Sequence, residues 1–308
     1  MRENNQRRNP FLLAPTILFP TVLLFGIASF IFSEPFGQAN SWWIAALLFV
    51  FTFGLPIAMF FYLRGRKWIS SCLLPLTGRG FMLSIGAALL MGVQSTWFRS
   101  LIIDGSYDHR IYDFYGLSFE IATDSAEKIL TAIFAFALLP AILEGVLCRG
   151  IFMYEYRFGG VVLSVLMSSA LCAVTGVTVP GAILHFLNGI VLSVVVFITG
   201  NFIYSVFAHF MVLVYSLFWE KYLLFLALEI ETRSLLLFIL LGTWITAMVI
   251  FCDNAERILR KRGEMENPKP RTLSVKRSFS VFYDMISAPM LWADILIFSV
   301  FAVLHLFL

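Results

Sequence analysis

The residues best suited to chemistry in this chain are the few ionisable side chains that interrupt its long apolar segments. They are Glu144, Arg149, His185, His209, Asp294 and His305. A charged side chain at the centre of a bilayer costs about 2.5–3.5 kcal/mol on insertion scales, so such residues favour a packed interior or a wet cavity. In a cavity, a carboxylate can act as a base or a ligand, and an imidazole can donate a hydrogen bond.

Depth along the apolar segments separates these candidates. At about 1.5 Å per residue, Glu144 lies roughly 12 Å and His209 roughly 10 Å from the same membrane face, so the two can face each other. His185 lies roughly 6 Å from the opposite face, which predicts that it does not join them. We expect His185 and His305 to be packing residues, and Asp294 to lie near the inner end of its block without a special role. We predict a site of Glu144 and His209 in a cavity open to the cytoplasm; alternatively, Glu144 is protonated and only bonds a neighbouring helix.

Arg149 follows Glu144 by five positions in the same segment. In an α-helix that spacing is about 140° around the axis, so the two are not an ideal ion pair. Because Arg149 is close to the inner boundary, we expect its side chain to extend toward water and lipid phosphate.

Nine apolar blocks must position these residues. Hydrophobic residues make up 60% of the 308 and charged residues only 13%, which excludes a water-soluble enzyme. About 20 apolar residues cross a hydrocarbon core of about 30 Å. The blocks lie near 11–33, 42–63, 81–100, 129–152, 160–178, 181–199, 202–220, 234–252 and 288–308. They do not alternate, so they predict an all-α polytopic membrane helix bundle of about nine helices, or eight if the last block does not cross.

The basic residues orient this bundle. With the N-terminus in the cytoplasm, most Lys and Arg residues of the connections fall on the cytoplasmic side, as the positive-inside rule requires. The chain is then one multi-pass domain of the cell membrane, residues 1–308, with a cytoplasmic basic linker at 254–287. The connection at 101–128 lies outside, and its tyrosines, Tyr115 among them, indicate a short interfacial segment. The net charge of +3 predicts contact with membrane lipid headgroups and no nucleic acid.

The four cysteines predict neither a disulfide nor a metal site. Cys72 and Cys252 fall at cytoplasmic ends, where thiols stay reduced, while Cys148 and Cys172 lie within apolar blocks. The sequence contains no Cys-x-x-Cys pair, which makes zinc an unexpected ligand. We therefore expect no metal and no cofactor.

A series of short motifs follows the order of four neighbouring blocks. They are Pro140 with Glu144 to Arg149, then Ser168-Ser169, then Thr199-Gly200-Asn201, and finally His209. Over residues 128–219 this series resembles the core of the CAAX-protease and bacteriocin-processing family (CPBP, or Abi) of intramembrane glutamate endopeptidases. The resemblance implies that Glu144 activates a water, that His209 stabilises the oxyanion, and that Arg149 is an orienting charge.

Three residues of the family pattern are missing here. Its second Glu is Gly145, the His of its second motif is Gly176, and the Asn of its last motif is Leu213. Loss of one oxyanion donor costs about 2.7–4 kcal/mol, and loss of an acid–base group costs about 10²–10⁴-fold in rate. The resemblance thus implies an endopeptidase fold with weakened or lost activity.

Three functions remain open at this point. One is slow cleavage of a membrane-associated peptide or lipopeptide. The second is a non-catalytic binding or regulatory protein that uses the same cavity, which the missing residues favour. The third is a transporter in which Glu144, Arg149 and His209 form a proton or solute path.

Overall fold

The computed structural model describes residues 13–32, 35–37, 41–65, 73–103, 111–265 and 275–305. Within these ranges, seven helices are long and apolar enough to cross a membrane. They are α1 (Leu13–Ile31), α2 (Ser41–Arg64), α3 (Gly78–Ile102), α4 (Ala126–Tyr156), α6 (Val179–Thr199), α7 (Ile203–Leu226) and α8 (Ile230–Met265). Three shorter helices are α5 (Val161–Val174), α9 (Val275–Ile286) and α10 (Pro289–Leu304). The prediction of a helical many-pass membrane protein is confirmed.

Several of these helices contain π-helical segments. In a π-helix each N–H donates to the carbonyl five residues earlier. Side chains five positions apart therefore lie on nearly the same face of the helix. The segments are Val50–Gly54 in α2, Ile133–Leu138 and Gly145–Phe152 in α4, and Ser216–Glu220 in α7. Two of them adjoin the polar residues described below.

Helix α5 is too short to cross a bilayer. Its 14 residues span about 21 Å at 1.5 Å per residue, against a hydrocarbon core of about 30 Å. The turn that follows is buried, with Thr175 fully enclosed and Val177 nearly so. Thr178 then caps α6 by accepting a hydrogen bond from the Gly181 amide. The chain consequently turns back into α6 after 14 residues rather than after a full crossing.

A β-hairpin lies between α3 and α4. Strand β1 (Ile111–Phe114) pairs antiparallel with β2 (Leu117–Glu120). The turn residues Tyr115 and Gly116 both have positive φ, 53° and 74°, as a two-residue type I′ turn requires. Tyr115 is 3% exposed, so the hairpin tip enters the bundle. The prediction of a short interfacial segment is therefore wrong for the hairpin.

The bundle has two distinguishable ends. Arg79, Arg257, Arg260 and Lys261 lie around one hollow where α3 begins and α8 ends, which we call the basic end. At the opposite end, Arg233 donates to the carbonyls of Ser100 and Ile103 at 2.8 Å each. We call this the hairpin end, since β1 and β2 follow α3 there.

Much of the predicted basic linker at 254–287 is helical. Helix α8 continues to Met265, and α9 covers Val275–Ile286. Residues 266–274 of the linker lie outside the described part of the chain.

Candidate active site

Glu144 lies on α4, where the helix passes into the π-helical segment Gly145–Phe152. Its side chain is 2% exposed, and Arg149 is 1% exposed. The Arg149 Nη2 lies 3.8 Å from Glu144 Oε1. The prediction that these two residues diverge and that Arg149 extends to the membrane surface is wrong, because the π-helical winding brings residues five apart onto one face.

The two carboxylate oxygens of Glu144 have different neighbours. The Cys172 thiol on α5 donates to Oε1 at 3.0 Å. The Tyr115 hydroxyl donates to Oε2. His209 Nε2 on α7 lies 3.7 Å from the same Oε2. The structure thus brings Glu144, Arg149 and His209 together, and it adds two donors that the sequence did not indicate.

Tyr115 is held at this position by other aromatic rings. It stacks on Phe25 with ring centroids 4.7 Å apart and contacts the edges of Phe49 and Phe53. Burial keeps the pKa of the Tyr115 phenol well above its ordinary value, so the hydroxyl stays protonated and donates. The alternating apolar residues around Tyr115-Gly116 signal a hairpin in the sequence. Nothing in the sequence signals that its tip reaches Glu144.

His185 on α6 also reaches the site. Its ring stacks on Tyr115 with centroids 4.9 Å apart, and it is within electrostatic range of the Glu144 carboxylate. The prediction that His185 lies at the wrong depth is wrong. It assumed that α5 crosses the whole bilayer, whereas α5 has only 14 residues and α6 therefore starts deeper than that count placed it.

These side chains line a cavity of about 720 Å³. Glu144, Arg149, His185 and His209 form part of its wall. Much of the remaining wall comes from the hairpin and from residues at the hairpin end, such as Lys221. The cavity is therefore lined from the hairpin end, not from the basic end as the predicted cytoplasmic opening required.

A second polar group lines the same cavity. Glu220 on α7 is 1% exposed and accepts hydrogen bonds from Ser216 and, at 3.3 Å, from Thr96. Arg99 Nη1 on α3 lies 3.2 Å from Glu220 Oε2. Sequence reasoning missed Glu220 because it stands at the end of an apolar block, where a charge ordinarily meets water.

The other predicted polar residues take no part in the Glu144 site. Asp294 on α10 is fully buried, and neither carboxylate oxygen has a hydrogen-bond partner among the described residues. His305 follows α10 and lines the cavity, but its side chain is exposed.

Two of the residues that depart from the family pattern sit where helices approach closely. A Cβ on Gly145 would lie 2.4 Å from Val206 Cγ2 on α7. A Cβ on Gly176 would lie 2.7 Å from the backbone nitrogen of Ala182. Leu213 lines the cavity one helical turn after His209. A glutamate at 145 would therefore require the Val206 side chain to shift, and a histidine at 176 would clash with the backbone at the start of α6.

Fold and site together define a multi-pass membrane protein with a buried glutamate, surrounded by hydrogen-bond donors, on the wall of an intramembrane cavity. Residues 126–215 match the family model named Rce1-like, whose description is "Type II CAAX prenyl endopeptidase Rce1-like". This segment belongs to the CAAX-protease family, and the resemblance predicted from the motifs is confirmed. The match covers α4 to α7 as far as Tyr215, and these helices carry Glu144, Arg149, His185 and His209. No curated protein and no solved structure matches the chain.

Proposed function

We propose that this protein is a membrane-embedded peptidase of the CAAX-protease type with reduced activity. The observation that carries the proposal is the environment of Glu144, whose Oε2 accepts from Tyr115 and lies 3.7 Å from His209 Nε2 on a cavity wall. The volume of about 720 Å³ falls within the range of about 300–1,000 Å³ that is usual for ligand pockets.

The chemistry is water-mediated hydrolysis of a peptide bond. The 3.7 Å between Glu144 Oε2 and His209 Nε2 is too long for a direct hydrogen bond, and a water beside both atoms would hydrogen-bond to each. Glu144 takes a proton from this water while the water oxygen bonds to the carbonyl carbon of the peptide. The carbonyl oxygen becomes an oxyanion that accepts hydrogen bonds from His209 and from the Tyr115 hydroxyl, which turns away from Glu144 once that carboxylate is protonated. The proton then passes from Glu144 to the amide nitrogen as the C–N bond breaks, which releases an acid and an amine.

Tyr115 and His185 offset part of what the family pattern lacks. Leu213 cannot donate a hydrogen bond, but the Tyr115 hydroxyl enters the site from the hairpin. Gly176 carries no imidazole, but the His185 ring lies against Tyr115 from α6. Loss of one oxyanion donor costs about 2.7–4 kcal/mol. Because Tyr115 and His185 supply polar groups from other elements, the reaction is slower than in a complete site but is not abolished.

The second candidate function is peptide binding without cleavage. It is favoured by the fact that both oxygens of Glu144 already accept hydrogen bonds, from Tyr115 and Cys172. A carboxylate occupied in this way is a weaker base for water. In either function the partner is a peptide or lipopeptide segment of a membrane-associated protein.

We test both functions on the purified full-length chain in lipid nanodiscs. The wild type and the Glu144→Gln variant are incubated with a mixture of peptides and lipopeptides, and products and bound peptide are measured by mass spectrometry. Glu155→Gln is the matched control, since Glu155 is also buried on α4 but pairs with Arg64 at 3.3 Å, away from the cavity. We expect cleavage by wild type and Glu155→Gln, and none by Glu144→Gln.

The other outcomes separate the two functions. Equal binding by all three proteins with no cleavage selects the non-catalytic function. Equal cleavage by wild type and Glu144→Gln removes Glu144 from the mechanism. Failure to bind any peptide removes both functions.

We also propose that the N-terminus lies in the cytoplasm of a cell whose plasma membrane holds the protein. Arg79, Arg257, Arg260 and Lys261 then meet anionic lipid headgroups on the inner leaflet. In this orientation the hairpin end, and with it the cavity, faces the opposite side.

A further inference from the structure

Two buried cysteines from different helices meet at Glu144. Cys148 follows Glu144 by four residues on α4, and Cys172 comes from α5. One ligand atom from each of the three residues lies within 4.8 Å of the other two, and all three residues are buried. His209 Nε2 is 3.7 Å from Glu144 on its other side.

This donor set has a specific chemistry. Two thiols and one carboxylate are ligands that Zn²⁺ accepts in tetrahedral geometry, at about 2.3 Å to sulfur and about 2.0–2.2 Å to oxygen, with a water in the fourth position. Atoms at those distances from one ion are about 3.3–3.8 Å from each other. The 3.0 Å from Cys172 Sγ to Glu144 Oε1 is close to this range, whereas His209 Nε2 lies 3.7 Å from the other carboxylate oxygen, Oε2. Thiolates exclude Mg²⁺ and Ca²⁺, which prefer oxygen ligands.

The charges of the site balance both with and without the ion. Without it, the Glu144 carboxylate is offset by the Arg149 guanidinium at 3.8 Å, and the Cys172 thiol donates a hydrogen bond to that carboxylate. When Zn²⁺ binds, Cys148 and Cys172 each release a proton, so two positive charges arrive with two new thiolates. The buried group keeps zero net charge, which avoids the penalty of an unpaired charge.

Arg149 offers the second observation. Its Nε and Nη1 are buried and have no hydrogen-bond partner among the described residues, while its Nη2 donates to Cys172 Sγ at 3.6 Å. Buried guanidinium N–H groups without acceptors are costly, and metal-bound thiolates are acceptors. The arginine is thus placed to support thiolate ligands in the second coordination sphere.

We propose that Glu144, Cys148 and Cys172 form a three-ligand zinc site whose fourth position takes a water, and that the bound ion silences the site by occupying Glu144. Binding itself does not depend on the proposed peptidase function, whereas silencing does. The sequence predicted no metal because it contains no closely spaced cysteine pair, and these two cysteines are 24 positions apart.

The test uses Co²⁺ as a spectroscopic substitute for Zn²⁺. The full-length Cys72→Ser/Cys252→Ser protein, reduced with a phosphine, retains only Cys148 and Cys172 of the four cysteines. We expect Co²⁺ to bind at one equivalent per chain, to give the thiolate-to-cobalt charge-transfer band of the near ultraviolet, and to be displaced by Zn²⁺. The reciprocal Cys148→Ser/Cys172→Ser protein is the matched control and should show no such band. Adding Cys172→Ser alone to the first protein should weaken binding at least tenfold and reduce the band.

The absence of a charge-transfer band in the Cys72→Ser/Cys252→Ser protein overturns the site, and so does a band that persists without Cys148 and Cys172. Because the first protein keeps every proposed ligand, this result does not depend on the folding of a ligand variant. Zinc inhibition is read separately, as loss of cleavage on adding Zn²⁺ and its recovery with a chelator. Zinc binding by a protein that cleaves no peptide would retain the site and remove only the silencing.

Discussion

Polar groups from the hairpin, α5 and α7 surround Glu144. Among them, Tyr115 can be tested by the most conservative substitution. Tyr115→Phe removes only the hydroxyl and keeps the ring that stacks on Phe25 and His185. The carboxylate then loses a charge-assisted hydrogen bond in a buried setting, which costs about 1.5–3 kcal/mol. We expect a lower melting temperature together with slower peptide cleavage. Tyr62→Phe, at an exposed tyrosine, should match wild type in both measurements; Tyr115→Phe behaving likewise would contradict a role for the hydroxyl.

The ion pair of Arg99 and Glu220 gives a second prediction at the level of single residues. Arg99→Gln leaves the buried Glu220 carboxylate without its cation, and loss of one partner of a buried pair costs up to about 3–5 kcal/mol. Since Arg99 is 33% exposed, we expect a smaller loss, about 1–3 kcal/mol. Arg257→Gln is the control, because its pair with Asp253 is exposed on both sides and such pairs contribute about 0–1 kcal/mol. Equal denaturation midpoints for the two variants would show that Glu220 does not need Arg99.

At the level of elements, the close contact between α4 and α7 fixes how Glu144 meets His209. Gly145 permits this approach, since a Cβ there would lie 2.4 Å from Val206 Cγ2. We expect Gly145→Ala to destabilise the protein by about 1–3 kcal/mol through overpacking, and Val206→Ala to relieve much of that loss in the double variant.

Gly242 on α8 provides the control for this prediction. Nothing lies within 4 Å of a Cβ built there, so Gly242→Ala should leave stability unchanged or raise it slightly through helix propensity. Thermal unfolding of all four variants in the same detergent measures the coupling between positions 145 and 206. Strict additivity of Gly145→Ala and Val206→Ala would contradict the contact.

The elements also determine how much of this site was predictable. Apolar blocks and basic connections in the sequence predict the long helices, because a backbone in lipid has few alternatives. The pairing of Glu144 with His209 followed from counting residues along those helices. The prediction for Arg149 was wrong because it assumed α-helical winding, whereas α4 is π-helical over Gly145–Phe152. The prediction for His185 was wrong because it assumed that α5 crosses the bilayer. The insertion of Tyr115 depends on the packing of Phe25, Phe49 and Phe53, which no local pattern encodes.

At the scale of the whole molecule, the cavity and the basic cluster lie toward opposite ends of the bundle, so the orientation of the chain decides which compartment supplies the peptide. In the proposed orientation, which follows the positive-inside rule, the basic end lies in the cytoplasm and the cavity faces the other side. Single cysteines test this in the Cys72→Ser/Cys252→Ser background, whose two remaining cysteines are buried. Glu229→Cys reports the hairpin end and Lys261→Cys the basic end, and both positions are exposed.

We expect a membrane-impermeant maleimide to label Glu229→Cys in intact cells, and to label Lys261→Cys only after the membrane is permeabilised. The reverse pattern would place the N-terminus outside and open the cavity to cytoplasmic peptides. It would also leave the basic residues against the outer leaflet, where less anionic lipid attracts them. Since all the helices reverse together, these two positions orient Glu144 and its donors as well. The labelling result therefore determines which peptides, cytoplasmic or external, are the ones to test against the cavity.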